Sequence, residues 1–346
     1  MPPPIKVLIV DDSAFVRKVV REILSSQAGI QVVGAARDGE EGLRLVEELR
    51  PDVVTCDLIM PVLDGVGFVR RQIARRPIPI LILTASPQDA GLVVEALSAG
   101  AVDFMQKPSA LATDELRAIQ NELVEKVLAS ARARESTLRP DPATLPILTG
   151  MAAGKRSRIE IVVIGISTGG PQALRALLPR FPIDFPVPIA IVLHMPVGYT
   201  AAFADKLNQM SPLNVLEAKD GDILHPGVVL LAPAGRHLTL QRNDRGAVLA
   251  QLTIKPIEKP HRPSVDVLFQ SAAEVYRDKT LGVVMTGMGD DGKQGAAWIK
   301  SQGGTILTEA EDSCVIYGMP RAVAEAGLSD AAIHLEDMAK RIIERL

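Results

Sequence analysis

The sequence predicts an α/β protein built from two doubly wound, parallel-sheet domains, and three observations carry that expectation. Short apolar runs alternate with amphipathic stretches throughout residues 1–123. The alternation stops in Glu135–Arg158, a stretch with Pro140, Pro142, Pro146, Gly150 and Gly154, and restarts at Ile159. A chain of 346 residues is also too long for one ordinary core and suits two. The expected division is a first domain over 1–123, a helix end and linker over 124–158, and a second domain over 159–346.

In the first domain the apolar runs Lys6–Val10, Gln31–Ala35, Val53–Asp57, Ile80–Thr84 and Asp103–Met105 read as strands. Ala14–Ser25, Glu40–Leu49, Gly65–Ala74, Asp89–Ala99 and Thr113–Ala133 carry the helical spacing. Five strands alternating with five helices require a parallel sheet covered on both faces, with any site at the carboxyl ends of the strands. Glu135–Arg158 has no hydrophobic period and ends in the basic cluster Lys155, Arg156 and Arg158, so it reads as a solvated linker. In the second domain Ile159–Ile164, Ile189–His194, Val228–Ala232, Leu281–Met285 and Thr305–Leu307 read as strands. Pro171–Leu178, Tyr199–Met210, Val265–Tyr276 and Gly292–Gln302 read as helices. His237–Ile254 alternates around Asn243-Asp244-Arg245-Gly246 and reads as a β-hairpin insertion.

Composition removes several classes of function. Aromatic residues are 3% of the chain, too few for the stacking platforms that hold single-stranded nucleic acid. Net charge is −3, from 38 basic and 41 acidic residues, so no global basic field is available for DNA. Cys56 and Cys314 are far apart and lack metal-ligand spacing, which fits a reducing compartment. The start, MPPPIKVLIVDDS, has no cleavable signal pattern, and no run reaches the roughly 18 apolar residues of a membrane span. The expectation is a cytoplasmic protein that neither binds nucleic acid nor inserts in a membrane.

Two groups of polar residues fall at predicted strand ends. The first strand runs into Asp11-Asp12, the third ends in Asp57, the fourth in Thr84, and the fifth is followed by Lys107-Pro108. Three carboxylates converging on one sheet edge repel one another and need a cation. An open oxygen site of this kind suits Mg²⁺, which also bridges to phosphate oxygens. Lys107 adds a second positive charge, Thr84 offers a hydroxyl to an incoming phosphoryl group, and Asp57 becomes a nucleophile toward phosphorus. Cys56 alternates to the other face of its strand and reads as core.

Residues 4 to about 123 resemble the bacterial response-regulator receiver family, through VLIVDDS, the run Asp57-x-x-Met60-Pro61-x-x-Asp64-Gly65, LTAS and Lys107-Pro108. The resemblance implies phosphorylation of Asp57 by a histidine kinase, Mg²⁺ held at Asp11, Asp12 and Asp57, and phosphoryl contacts from Thr84 and Lys107. It also makes Phe104 the switch aromatic. A phosphoryl group adds about −1.5 to −2 charges and draws Thr84 and its loop inward.

The second group begins at Gly165-Ile166-Ser167-Thr168-Gly169-Gly170-Pro171, where small residues allow a sharp strand-to-helix turn and Pro171 suits the first helical position. Ser167 thus lies near a helix N-terminus, whose unpaired N–H groups favour an oxyanion. The next strand delivers His194, and a later one delivers Thr286-Gly287-Met288-Gly289-Asp290-Asp291-Gly292. Ser, His and Asp from three strand ends can meet in one cleft, with His194 the base and one of the two aspartates its orienter. The order Ser…His…Asp differs from that of α/β-hydrolases. Of the other histidines, His261 in KPHRPSVD has the best claim to line that cleft, while His225, His237 and His334 read as structural or solvated.

Residues from Ile159 onward resemble the catalytic domain of the chemotaxis methylesterase (CheB) family, through GISTGGPQAL, HMPVGYT, HRPSVDVLF, MTGMGDDG and EDSCVIYGMPRAV. The resemblance implies Ser167 as nucleophile, His194 as base and Asp291, directly before Gly292, as triad acid. It implies an oxyanion hole from the backbone N–H groups of Thr168 and Met288. It further implies demethylation of glutamate methyl esters and deamidation of glutamines on methyl-accepting chemotaxis receptors, with no cofactor for hydrolysis. Finally it implies that the unphosphorylated receiver covers the hydrolase cleft and that phosphorylation releases it. The competing expectation is a receiver-controlled regulator whose second domain binds a ligand or nucleotide at the GISTGG turn and hydrolyses nothing; the turn lacks the GK[ST] ending of a P-loop.

Overall fold

The computed structural model describes residues 3–107, 113–131 and 159–346, and the chain divides into two units, Met1–Pro140 and Asp141–Leu346. The expected linker Glu135–Arg158, Pro108, and the end of the expected helix Thr113–Ala133 lie outside the described residues.

The first unit is a five-stranded parallel sheet in the order β2-β1-β3-β4-β5. Its strands are β1 (Ile5–Val10), β2 (Ile30–Ala36), β3 (Val53–Asp57), β4 (Ile80–Thr84) and β5 (Asp103–Gln106), and its helices are α1 (Ala14–Ser25), α2 (Gly39–Leu49), α3 (Gly65–Arg75), α4 (Ala90–Ala99) and α5 (Thr113–Ser130). Helices start where short polar side chains accept N–H groups of the first turn: Ser13 from Val16, Asp38 from Glu41 and Asp64 from Gly67. β3 and β4 are buried along their whole length, as the continuous apolar runs require of a sheet covered on both faces. On one face Val7, Ile9, Leu81, Leu83 and Met105 pack with Val20, Leu24, Leu123 and Val127 of the covering helices.

The second unit is a seven-stranded parallel sheet in the order β14-β13-β12-β6-β7-β9-β8, with a separate antiparallel pair β10-β11. Its strands are β6 (Ile161–Ile166), β7 (Ile189–Leu193), β8 (Asn214–Glu217), β9 (Val228–Leu231), β10 (His237–Arg242), β11 (Val248–Thr253), β12 (Thr280–Val284), β13 (Thr305–Glu309) and β14 (Ala331–Ile333). Its helices are α6 (Gly170–Leu177), α7 (Thr200–Met210), α8 (Val265–Tyr276), α9 (Lys293–Ser301), α10 (Met319–Glu325) and α11 (Leu335–Glu344). The hairpin pairs His237 with Thr253 through to Arg242 with Val248, and Gly246 turns it at φ +84°. The sheet runs outward in both directions from β6, which lies between β12 and β7. That strand is a topological switch point, where ligand crevices open at the carboxyl ends of open α/β sheets.

Three elements here were not expected from the sequence. β8 is a four-residue edge strand, α10 has seven residues with Pro320 in second place, and α11 follows the three-residue β14. β8 and α10 are too short for periodicity to register, whereas α11 does carry a readable apolar spacing in its buried Met338, Ala339 and Ile342. β13 also continues two residues past Leu307, through the buried Thr308 and Glu309. No helix among the described residues is long and apolar enough to cross a membrane.

Candidate active site and phosphoacceptor site

In the first unit the ends of adjacent strands β1 and β3 bring Asp11 and Asp57 together, with Asp12 alongside. One carboxylate oxygen from each lies within 4.8 Å of the others. Lys107, directly after β5, places Nζ 2.8 Å from Asp11 Oδ2 and 2.8 Å from Asp57 Oδ2. Burial raises the Asp57 carboxyl above the ordinary aspartate range, against the pull of Lys107. Burial works against the charge on Lys107 too, but the two carboxylates outweigh it and raise its ammonium above the usual lysine value. Among the described residues Asp11 Oδ2 is buried with no aligned hydrogen bond, and the Lys107 ammonium faces it. Three carboxylate oxygens within 4.8 Å of one another, two of them on buried residues and together outnumbering the one lysine charge, fit a hard divalent cation such as Mg²⁺.

The surrounding loop is shaped for close approach. A Cβ on Gly65 would sit 2.1 Å from the Asp57 carbonyl oxygen, so only glycine lets α3 start against the end of β3. Thr84 is buried at the end of β4, where its hydroxyl donates to the Ser86 carbonyl at 3.3 Å. Phe104 is buried in β5, as is Cys56 in β3.

In the second unit the three adjacent strands β12, β6 and β7 deliver the other group. β6 ends at Ile166, paired in register with Leu193 of β7, so Ser167 and His194 follow neighbouring strand ends. The His194 N–H donates to the Ile166 carbonyl at 3.1 Å. Ser167 begins a tight turn: its N–H donates to the Thr286 carbonyl at 3.0 Å, and its carbonyl accepts from Gly170 at 2.7 Å. Gly169 takes φ +80°, and a Cβ there would lie 2.6 Å from that of Val315. The Ser167 hydroxyl has no hydrogen bond among the described residues.

After β12 the chain passes Gly287, where a Cβ would meet that of Ser167 at 2.8 Å and Met319 Sδ at 2.4 Å. The Gly287 carbonyl accepts from Gly318 and Met319 at the start of α10, which pins this crossing. Among the described residues neither the Thr168 N–H nor the Met288 N–H has an acceptor. The loop then turns so that Asp290 is exposed and Asp291 faces His194, with Oδ2 2.9 Å from Nε2. The remaining lone pairs of Asp291 accept from Ser264 Oγ at 2.9 Å, Val265 N at 2.7 Å and Asp266 N at 3.0 Å. Burial alone would raise this carboxyl, but the His194 contact and the N–H groups of Asp266 and Val265 reverse the balance and hold it well below the ordinary aspartate range.

These bonds form a reciprocal arrangement. Asp291, just ahead of α9, satisfies the N-terminal donors of α8; Asp266, in the first turn of α8, accepts from Gly292 at 2.9 Å and Gly295 at 2.8 Å at the start of α9. His237 is fully buried and its Nδ1 accepts from Ser264 N at 3.2 Å, so it supports this loop. The His261 ring stacks on that of His194, with centroids 4.2 Å apart and planes 20° from parallel. His261 is exposed on its outer side, but desolvation where the ring packs on the protein, then the His194 ring, pushes it down to about 4, which keeps it neutral near pH 7. His225 is exposed and His334 caps α11. The roles of Ser264 and Asp266 were not read from the sequence; the signal was in HRPSVD, where a serine and an aspartate flank the start of a helix.

The family model described as CheB methylesterase matches residues 162–342, and that described as response regulator receiver domain matches residues 7–120. A Myxococcus xanthus protein named protein-glutamate methylesterase/protein-glutamine glutaminase 5 is 50% identical over 97% of this chain and 96% of its own. A Pseudomonas aeruginosa protein named protein-glutamate methylesterase/protein-glutamine glutaminase 1 is 40% identical over 98% of this chain and 99% of its own. The crystal structure of the Thermotoga maritima CheB methylesterase catalytic domain is similar with a TM-score of 0.53 and 41% identity, covering 54% of this chain and 99% of that one.

Proposed function

The chain belongs to the CheB methylesterase family, with a response regulator receiver domain ahead of the catalytic one, and from that premise we propose that it is a phosphorylation-controlled serine hydrolase acting on chemoreceptor glutamyl methyl esters and glutamines. The observation that carries the chemistry is the ring of His194. Asp291 takes Nε2, so the proton of the neutral imidazole sits there, and Nδ1 is left bare, buried and without a hydrogen-bond partner among the described residues. A bare ring nitrogen and a serine hydroxyl without a hydrogen bond among the described residues, following neighbouring strand ends, are the parts general-base activation requires, and substrate binding brings such groups into contact.

Ser167 Oγ attacks the γ-carbonyl carbon as its proton passes to His194 Nδ1. The new imidazolium is stabilised by Asp291, whose carboxylate stays ionised. The N–H groups of Thr168 and Met288, without an acceptor among the described residues, receive the oxyanion. The tetrahedral intermediate collapses with a proton from Nδ1 to the leaving oxygen or nitrogen, releasing methanol from an ester or ammonia from glutamine. Water then attacks the acyl-serine with His194 again as base, giving a free glutamate and regenerating Ser167. His261, neutral near pH 7, stacks on the His194 ring and gives its charged form an aromatic face.

In the receiver Asp57 is the phosphoacceptor toward a histidine kinase, with Thr84 and Lys107 toward the phosphoryl group and Phe104 as the switch aromatic. Asp11, Asp12 and Asp57 would hold Mg²⁺, which neutralises phosphoryl charge when bound. The test is a receptor cytoplasmic fragment carrying methylated glutamates and unmodified glutamines, followed by mass spectrometry. The expected result is conversion of both to glutamate; conversion of neither overturns the reading.

A further inference from the structure

Beneath the nucleophile turn lies a carboxyl group that the reaction above does not use. Glu309 ends β13, beside β12, and is fully buried. Its Oε2 accepts from the Thr286 N–H at 2.8 Å and its Oε1 from Ser313 Oγ at 3.1 Å. Among the described residues no lysine, arginine or histidine nitrogen lies within 4.0 Å of it. Thr286 in turn fixes the catalytic turn at two points. Its carbonyl accepts from Ser167 N–H at 3.0 Å, and its hydroxyl donates to the Thr168 carbonyl at 3.0 Å while accepting from Ile316 N–H at 3.0 Å.

Resting on the hydrolase reading above, we propose that Glu309 is a positioning residue: acting through Thr286, its carboxyl holds the Ser167–Thr168 turn in reactive geometry, and gaining or losing a proton changes how firmly it does so. A buried acid without a cation is costly to ionise, and burial accordingly pushes this carboxyl up to about 7, against the Thr286 and Ser313 hydrogen bonds. The network accepts either state. When protonated, the acid donates to Ser313 Oγ, whose own hydroxyl has the Ala310 carbonyl at 3.2 Å as an alternative acceptor. When ionised, the bond from the Thr286 N–H becomes charge-assisted and roughly twice as strong.

The other groups around it do not supply the effect. Cys314 in the following loop is buried, and burial first and the Glu309 carboxyl second hold its thiol protonated, far above its ordinary range. Glu311 and Asp312 of that loop are exposed. β14 carries no titratable side chain, and His334 after it accepts from the Glu336 N–H. α9 and α10 also pack against β13, but Lys293, Arg321 and Glu325 are exposed and Lys300 pairs with Asp330, while Thr286 and the nucleophile turn bring no charged group.

The test uses the full chain with a soluble carboxylic ester and follows kcat/KM from pH 5.5 to 9. Glu309→Gln keeps both hydrogen bonds but cannot ionise, and Glu309→Leu keeps bulk but not the bond. Wild type and Glu309→Gln should agree within about twofold below pH 6, and wild type should gain about fivefold on it as pH passes neutrality. Glu309→Leu should lose about tenfold or more in kcat at every pH, restored by Gln. Superimposable wild-type and Glu309→Gln profiles overturn the proposal even if Glu309→Leu fails to fold. A Gln variant faster than wild type above pH 8 also overturns it, since the carboxylate would then act by repelling the oxyanion. A wild-type protein with no esterase activity overturns the hydrolase reading itself, and this proposal with it.

Discussion

Replacing Asp291 by asparagine keeps the size of the side chain and removes its charge and two of its lone-pair sites, and the surrounding donors allow both consequences to be worked out. One carboxylate oxygen faces Ser264 Oγ and the Asp266 N–H, and the other faces the Val265 N–H and His194 Nε2. Whichever oxygen becomes NH₂, it meets a backbone N–H of α8, so one donor pair is left facing without an acceptor. A buried donor stripped of its partner costs about 1–3 kcal/mol, which is the expected loss in urea unfolding of the variant. If the NH₂ turns toward His194, the ring must move its proton to Nδ1 and can no longer accept one from Ser167. If it turns away, the imidazolium loses its counter-charge. Both arrangements predict a fall in kcat of about 10⁴-fold, the scale of this substitution in a serine protease triad. Methanol release and urea melts on one preparation read both numbers. A variant as stable and as active as wild type refutes the account of this carboxylate; one that is destabilised yet fully active leaves it a helix cap and removes it from the chemistry.

Three further predictions follow from separate parts of the molecule. Gly287→Ala should reduce kcat by about 100-fold, because the new methyl group, 2.8 Å from the Ser167 Cβ, forces the nucleophile aside; near-normal turnover with the variant shown folded by circular dichroism would contradict it. A small-molecule phosphodonor with Mg²⁺ should raise methanol release in wild type and leave Asp57→Asn unchanged, and stimulation of the variant would place the phosphoacceptor elsewhere. Glu309 also makes stability pH-dependent. Its folded value of about 7 lies above the ordinary 4.5, so the folded state binds the proton more tightly. The resulting stabilisation is complete below about pH 4.5 and is lost as pH rises through 7, in total about 3 kcal/mol. Urea midpoints of wild type should fall across that window relative to Glu309→Gln, and parallel curves would show that the carboxyl titrates normally.

Both large sheets were legible because parallel strands covered on two faces are written as unbroken apolar runs, such as VLIV before Asp11 and IVVIGI before Ser167. Glycines that permit close crossings, Gly65 and Gly287 among them, stood inside the motifs that drew notice. The supports of the site were less visible. Asp266 and Ser264 look like ordinary first-turn residues of a helix until the loop carrying Asp291 folds onto them. Glu309 falls beyond the expected end of its strand, since a Thr-Glu pair gives no apolar signal although both side chains are fully buried. Nor does local spacing show which ring nitrogen of His194 meets the carboxylate, because that depends on a residue 97 positions away.

The central claim is that Ser167 is the nucleophile and His194 its base. Treating the folded full-length protein with a serine-reactive phosphonate and mapping the adduct by mass spectrometry addresses it most directly. The account predicts one adduct on the peptide bearing Ser167, lost in Ser167→Ala and much slower to form in His194→Gln. Methanol release that persists in Ser167→Ala, with no adduct at Ser167 in wild type, would contradict it.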